Sequence, residues 1–160
     1  MQLTTINPGF VLGAPLDAHF GTSIQVIERL LRGKDPMLPD IGFTKVDEQD
    51  VAEMHVTVID RPETFGQRTM TADSFLTFKD IAQAVKAAFP DRRIPTRVAP
   101  NCMIRFLGQF DPTIKSIAPG LGRVDKIDNS RARATIGRGM RQARKPVVSS
   151  AKYLIDIELV

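Results

Sequence analysis

The sequence predicts a mixed α/β fold with more helix than strand, and two observations carry that prediction. Residues 2–6 and 66–70 are short runs rich in β-branched or apolar residues and bounded by turn formers, which suits brief strands. Three longer segments place apolar side chains at helical spacing: Ile24, Ile27, Leu30 and Leu31; Val51, Met54, His55, Val58 and Ile59; and Phe78, Ile81, Val85 and Phe89.

Leu3, Thr4, Thr5 and Ile6 form the first strand, which ends at Pro8-Gly9 and gives way to a second apolar run, Phe10 to Leu12. Thr22-Ser23-Ile24-Gln25 has the spacing of a capping box, and Gly33 ends the helix that follows. Pro36 and Pro39 deny regular structure to residues 34–42. Phe43 to Val46 is a brief extended piece. Asp50 reads as the cap of a second helix ending before Pro62, with Asp47 holding the preceding turn. Thr77 and Asp80 cap a third helix. Beyond residue 90 the chain is richer in breakers, and its helices are shorter: Asn101 to Phe110, one opened by Asp111-Pro112 and stopped near Pro119-Gly120, one opened by Asn129 or Ser130, and a last from Ser149 to Leu159. No repeat, low-complexity tract or long linker divides the chain, so residues 1–160 read as one domain.

Composition narrows the function classes. Hydrophobic residues make up 42% and charged residues 25%, ordinary values for a soluble globular protein. No apolar run reaches the ~18 residues that span a bilayer, and the N-terminus has no signal-peptide pattern. With one cysteine, Cys102, no internal disulfide forms and no metal cluster is indicated; a reducing cytoplasm is the expected setting. The net charge is +4, and much of the excess lies in Arg131, Arg133, Arg138, Arg141, Arg144 and Lys145. Such a run meets phosphates in nucleic-acid binders, but no aromatic side chain interrupts it to stack on bases, and a solvated helix and loop is the favoured reading.

The isolated titratable groups point away from metal and nucleophile chemistry. His55 sits on the apolar face of the second helix and is expected to be partly buried and hydrogen-bonded; His19 lies in a loop. Neither has a partner at ligand spacing. Cys102 reads as a packing residue.

Several segments in fixed order carry a resemblance across nearly the whole chain. They are Asn7-Pro8-Gly9-Phe10-Val11-Leu12-Gly13, Leu16-Asp17, Phe20-Gly21-Thr22-Ser23, Leu30-Leu31-Arg32-Gly33, Val46-Asp47-Glu48-Gln49-Asp50-Val51-Ala52-Glu53-Met54-His55, Phe89-Pro90 with Ile94-Pro95, and Asp128-Asn129-Ser130-Arg131-Ala132-Arg133 leading to Ile136-Gly137. Together they resemble the C-terminal half of the extended short-chain dehydrogenase/reductases of the NAD-dependent epimerase/dehydratase superfamily, close to the dihydroflavonol reductase and aldehyde reductase branch. The resemblance implies a partial Rossmann-type fold, with Met1 at an internal methionine of the parent and residues 2–6 paired with 67–71. It places the backbone of Pro8, Gly9 and Phe10 by the nicotinamide of NADP or NAD, and Ser23 near the phosphates or ribose. It places Thr44 towards a small carbonyl substrate. Against these stand plainer roles: a strand-ending turn for Pro8-Gly9, a helix cap for Ser23, an exposed strand residue for Thr44. The family's usual Val-Arg between the two aspartates is Glu48-Gln49 here, which removes a cation from that loop.

The chemistry such reductases need is not in this chain. A dinucleotide turn requires glycines at the first, third and sixth positions after a strand. Gly120 and Gly122 are followed by Asp125 at that place, and Gly137 and Gly139 by Gln142. Carbonyl reduction in the family uses a Tyr four residues before a Lys. Tyr153 is the sole tyrosine, and Ile157 follows it at that distance. No catalytic residue is therefore assigned, and cofactor binding by the chain alone is expected to be weak or absent. Three classes stay open: a reductase part working with a separate nucleotide-binding chain, a non-catalytic small-molecule or protein interaction module, and, lowest, a basic nucleic-acid binder. An unpaired strand edge also makes a homodimer the expected state.

Overall fold

The computed structural model describes residues 2–17, 19–141 and 144–160, without the side chain of Arg144. The readings placed on Met1, on Gln142 and on the Arg144 side chain lie outside the described residues.

Two small sheets meet at Gly9. The first strand, β1 (Thr5–Pro8), pairs in parallel with β4 (Arg68–Thr71), Thr5 opposite Arg68 and Pro8 opposite Thr71. The expected pairing of the N-terminal run with residues 67–71 is thus present, though the strand begins three residues later than expected. Leu3 is spent on the turn before it, accepting the Gly66 N–H at 2.7 Å. The second sheet has the order β2-β3-β5: β2 (Phe10–Leu12) is parallel to β3 (Gly42–Asp47), and β5 (Ser74–Thr77) is antiparallel to β3. β5 has no signal in the sequence, because its four residues are too few to show an alternation and run straight into a helix cap.

Seven α-helices are described. α1 (Thr22–Arg32) ends on Gly33, whose φ of 58° is the left-handed conformation glycine tolerates. Its expected capping box does not form: Gly21 is the N-cap, and no side chain caps the helix. α2 (Glu48–Ile59) starts two residues before its expected cap. Asp47 is the N-cap and accepts the Gln49 N–H at 2.8 Å, whereas Asp50 is buried within the first turn. α3 (Phe78–Ala88) has the expected capping box between Thr77 and Asp80. α4 (Asn101–Leu107) stops at Gly108, short of Phe110, and α5 (Pro112–Ile117) is capped by Asp111 as expected. α6 covers Ser130–Ile136. The last helix, α7 (Arg144–Asp156), starts five residues before Ser149; Pro146 is accepted because a first-turn amide has no helical partner to lose.

The main core lies between the three-stranded sheet and helices α1, α3 and α7. Ile24, Ile27, Leu30 and Leu31 of α1 meet Phe78, Ile81 and Val85 of α3 and Val147, Ala151 and Leu154 of α7, with Leu12 among them. Each of these side chains larger than alanine contributes about 1.5–3 kcal/mol by leaving water. A smaller cluster of Ala99, Ile104 and Leu121 packs the α4–α5 region. α2 and α6 cover the β1–β4 pair. The mixed, helix-rich α/β reading holds.

Candidate functional site

Four of the five residues singled out in the sequence, Pro8, Gly9, Phe10 and Thr44, converge around the crossing from β1 to β2. Gly9 donates its N–H to the Thr71 carbonyl at 3.0 Å, so it closes the first sheet while the chain steps across to the second. A Cβ at Gly9 would overlap the Thr44 carbonyl oxygen and stand 3.2 Å from Thr44 Oγ1. Only glycine lets β1 pass so close to β3. Phe10, opposite Lys45 in the register, stacks on Phe43 with ring centroids 4.3 Å apart. Gly9, Phe10 and Thr44 are therefore one constellation, beside the carboxyl ends of β1 and β4, the end of parallel strands where α/β folds bind ligands. Pro8 is exposed at its rim.

Ser23 stands apart from that constellation, half-buried in the first turn of α1, and among the described residues no side-chain hydrogen bond joins it to the crossing. That turn carries no acidic side chain. A groove of about 270 Å³ opens at the start of β3, between Ile41, Gly42 and Phe43 on one wall and Ile117, Gly120 and Arg123 on the other.

Three sequence readings are corrected here. Cys102 is exposed rather than packed, because α4 turns Ile104 inward instead. His55 is exposed, its Nδ1 2.8 Å from the Val51 carbonyl oxygen. Asp50 caps nothing: it is fully buried and accepts the Arg138 guanidinium at 2.6 Å, the Arg141 guanidinium and the Arg141 N–H at 2.7 Å. Glu53 completes this cluster, and the Arg138 hydrogen bond holds its carboxyl below the usual range. Two cations of the basic run are thereby committed within the fold, and Arg131 donates to the Arg68 carbonyl at 2.8 Å. No local pattern marks the cluster, since its arginines lie 85–91 residues from their partners. A further ion pair has no signal in the sequence: Lys45, fully buried in β3, bonds the half-buried Asp73, which also accepts from Ser74 Oγ at 2.9 Å. No group of three metal-ligating side chains occurs among the described residues.

Glu48 is an acid near the crossing whose pKa is raised. Its carboxylate lies where a Gly13 Cβ would be, and its Oε2 is buried without a described partner. Burial is the chief cause that lifts its pKa above the ordinary glutamate range, with Asp47 adding to it; Arg141 and the Ala14 backbone pull the other way. A raised folded-state pKa favours folding while the group is protonated, and that contribution is lost as pH rises through it. Glu48→Gln should therefore raise the urea midpoint at neutral pH and leave it unchanged below the glutamate range. An equal shift at both pH values would contradict this account.

Comparison with known proteins adds the lineage. No protein-family model matches the chain. It is 26% identical over 168 residues to the NADPH-dependent methylglyoxal reductase of Saccharomyces cerevisiae, covering 98% of this chain and 44% of that protein. A ketoreductase of Aspergillus niger is 35% identical over 121 residues, covering 69% of this chain and 36% of its own length. Cinnamoyl-CoA reductase 2 of Arabidopsis thaliana is 30% identical over 97 residues, 61% of this chain and 29% of that one. The yeast methylglyoxal/isovaleraldehyde reductase solved with NADPH superimposes with a TM-score of 0.74 at 22% identity, over 98% of this chain and 44% of its own. The chain belongs to the extended short-chain dehydrogenase/reductase superfamily. It spans less than half the length of the curated relatives it matches. Among the described residues no helix is long and apolar enough to cross a membrane.

Proposed function

We propose that residues 1–160 act as one unit, the substrate-binding portion of an NAD(P)-dependent carbonyl reductase of the dihydroflavonol reductase-like branch. One observation carries the reading: the match to the yeast reductase runs through 98% of this chain, yet the matched part holds neither a dinucleotide glycine turn nor a Tyr followed four residues later by Lys. The chain is therefore inactive alone and works with a nucleotide-binding chain. Without that partner a second copy occupies the open β1 edge, giving a homodimer. A single cysteine, Cys102, fits a cytoplasmic setting.

The residues present fit one side of the cofactor. The start of α1, capped by Gly21 and free of acidic side chains, suits a phosphate, and Ser23 adds a hydroxyl there. The Gly9 amide is already committed to Thr71, so Pro8, Gly9 and Phe10 offer a surface to the nicotinamide rather than a donor. The bound nucleotide supplies the hydride. Thr44, half-buried beside Gly9, orients the carbonyl compound, which enters by the groove at Gly42 and Phe43.

Titration calorimetry of the chain with NADPH tests this directly. One-sided contact predicts a Kd of about 1 mM or weaker. Micromolar binding would mean that the chain holds a complete nucleotide site of its own and would overturn the reading.

A further inference from the structure

The groove at the start of β3 carries on its rim a cation that carbonyl reduction itself leaves unused. The segment that brings it there is pinned to the fold. Leu121 is buried in the smaller cluster, and Gly122, at a φ of 72°, donates its N–H to the Asp40 carbonyl at 2.7 Å. Arg123 follows and lines the groove across from Ile41 and Gly42. Its side chain is 69% exposed, and among the described residues its ionic partner is Asp125, 56% exposed and 3.8 Å away. A contact that long between two solvated groups fixes neither of them. Along β3, Gly42 and Thr44 stand on one face, about 7 Å apart. Phe75 pairs with Thr44 in the register, and its ring lies where a Gly42 Cβ would be. An aromatic surface thus joins the groove to Thr44, while Ile41 and Ile117 give the groove apolar walls.

We propose that Arg123 selects carbonyl compounds whose apolar body ends in a carboxylate or a comparable anion; the proposal rests on the reductase reading above and deepens it by naming the substrate class. The carbonyl lies at Thr44, the body crosses the Phe75 ring between the apolar walls, and the far anion meets the guanidinium. Two parallel N–H···O bonds to the anion then replace the single long contact to Asp125. Charge-assisted bonds of this kind are roughly twice as strong as neutral ones, and the planar fork of arginine sets the orientation of the anion as well. Asp125 opposes the anion by its own charge, and its exposure lets it turn aside to water. A neutral compound of the same shape leaves the ion pair in place and gains the apolar contacts alone.

The test titrates the chain with para-formylbenzoate and with para-methylbenzaldehyde, which share a ring and an aldehyde and differ in the far group. Binding is followed by NMR through the amides of Gly42 and Gly120. The carboxylate compound should bind at least about tenfold more tightly, and added salt should weaken it alone. Arg123→Ala should remove that difference, and Asp125→Asn, which keeps the arginine and deletes the opposing charge, should widen it. Equal binding of the two compounds, no binding of either, or a preference that survives Arg123→Ala overturns the proposal. Shifts confined to amides away from the groove overturn it as well. In a fusion with the portion of the yeast reductase that this sequence does not span, Arg123→Ala should raise KM for para-formylbenzoate and leave kcat in place. A fusion that binds NADPH and reduces neither compound, while the chain keeps its Arg123-dependent preference, counts against the reductase reading alone.

Discussion

Asp50→Ala should lower folding stability by about 3 kcal/mol, the low end of what breaking a buried ion pair costs. Asp50 has no exposed surface, and both its oxygens accept: one from the guanidinium groups of Arg138 and Arg141, the other from the Arg141 N–H. Alanine strands that N–H and leaves two cations facing Glu53 alone. The loss stays at the low end because the arginine side chains are 33% and 37% exposed and can turn partly to water. Glu53→Gln, on the solvent side of the same cluster, should cost less than about 1 kcal/mol. Urea unfolding monitored by circular dichroism measures both. Equal midpoint shifts for the two variants would show that the buried carboxylate does not anchor the segment after α6.

What could be read from the sequence follows the range of the interactions concerned. α1, α3 and α5 were legible because their apolar spacing or caps are local: Gly33 behind Leu31, Thr77 with Asp80, Asp111 before Pro112. The parallel pairing of β1 with β4 came from resemblance, since no local pattern pairs strands some sixty residues apart. β5 is hidden because Ser74 to Thr77 is too short to show an alternation and passes directly into the cap of α3. The second helix shows most about the physics. Its apolar residues Val51, Met54, His55, Val58 and Ile59 suggested one inward face, yet Met54 is buried and Ile59 is 71% exposed. The face is wider than the β1–β4 pair can cover. The same long-range problem concealed Asp50: a carboxylate at a helix start looks like a cap until its arginines arrive from the far end of the chain. Of the candidate site, Gly9, Phe10 and Thr44 meet as one group, while Ser23 keeps to its own helix turn.

The largest expected effect is on turnover. The chain has no Tyr four residues before a Lys to protonate an alkoxide, and no glycine turn to hold a pyrophosphate; general acid catalysis alone is worth about 10²–10⁴ in rate. In the proposed reading, Thr44 and the surface of Pro8, Gly9 and Phe10 orient a carbonyl compound but move no proton at its oxygen. Completing the chain with a nucleotide-binding portion restores both missing parts. The deciding measurement is loss of NADPH absorbance with a panel of aldehydes and ketones, run on the purified chain and on its fusion to the nucleotide-binding portion of the yeast reductase. No carbonyl-dependent loss is expected from the chain alone and a clear loss from the fusion, reduced when Thr44 is replaced by valine. Turnover by the chain alone that survives repurification and disappears on substituting its own residues would contradict that expectation, as would a folded, NADPH-binding fusion that reduces none of the panel.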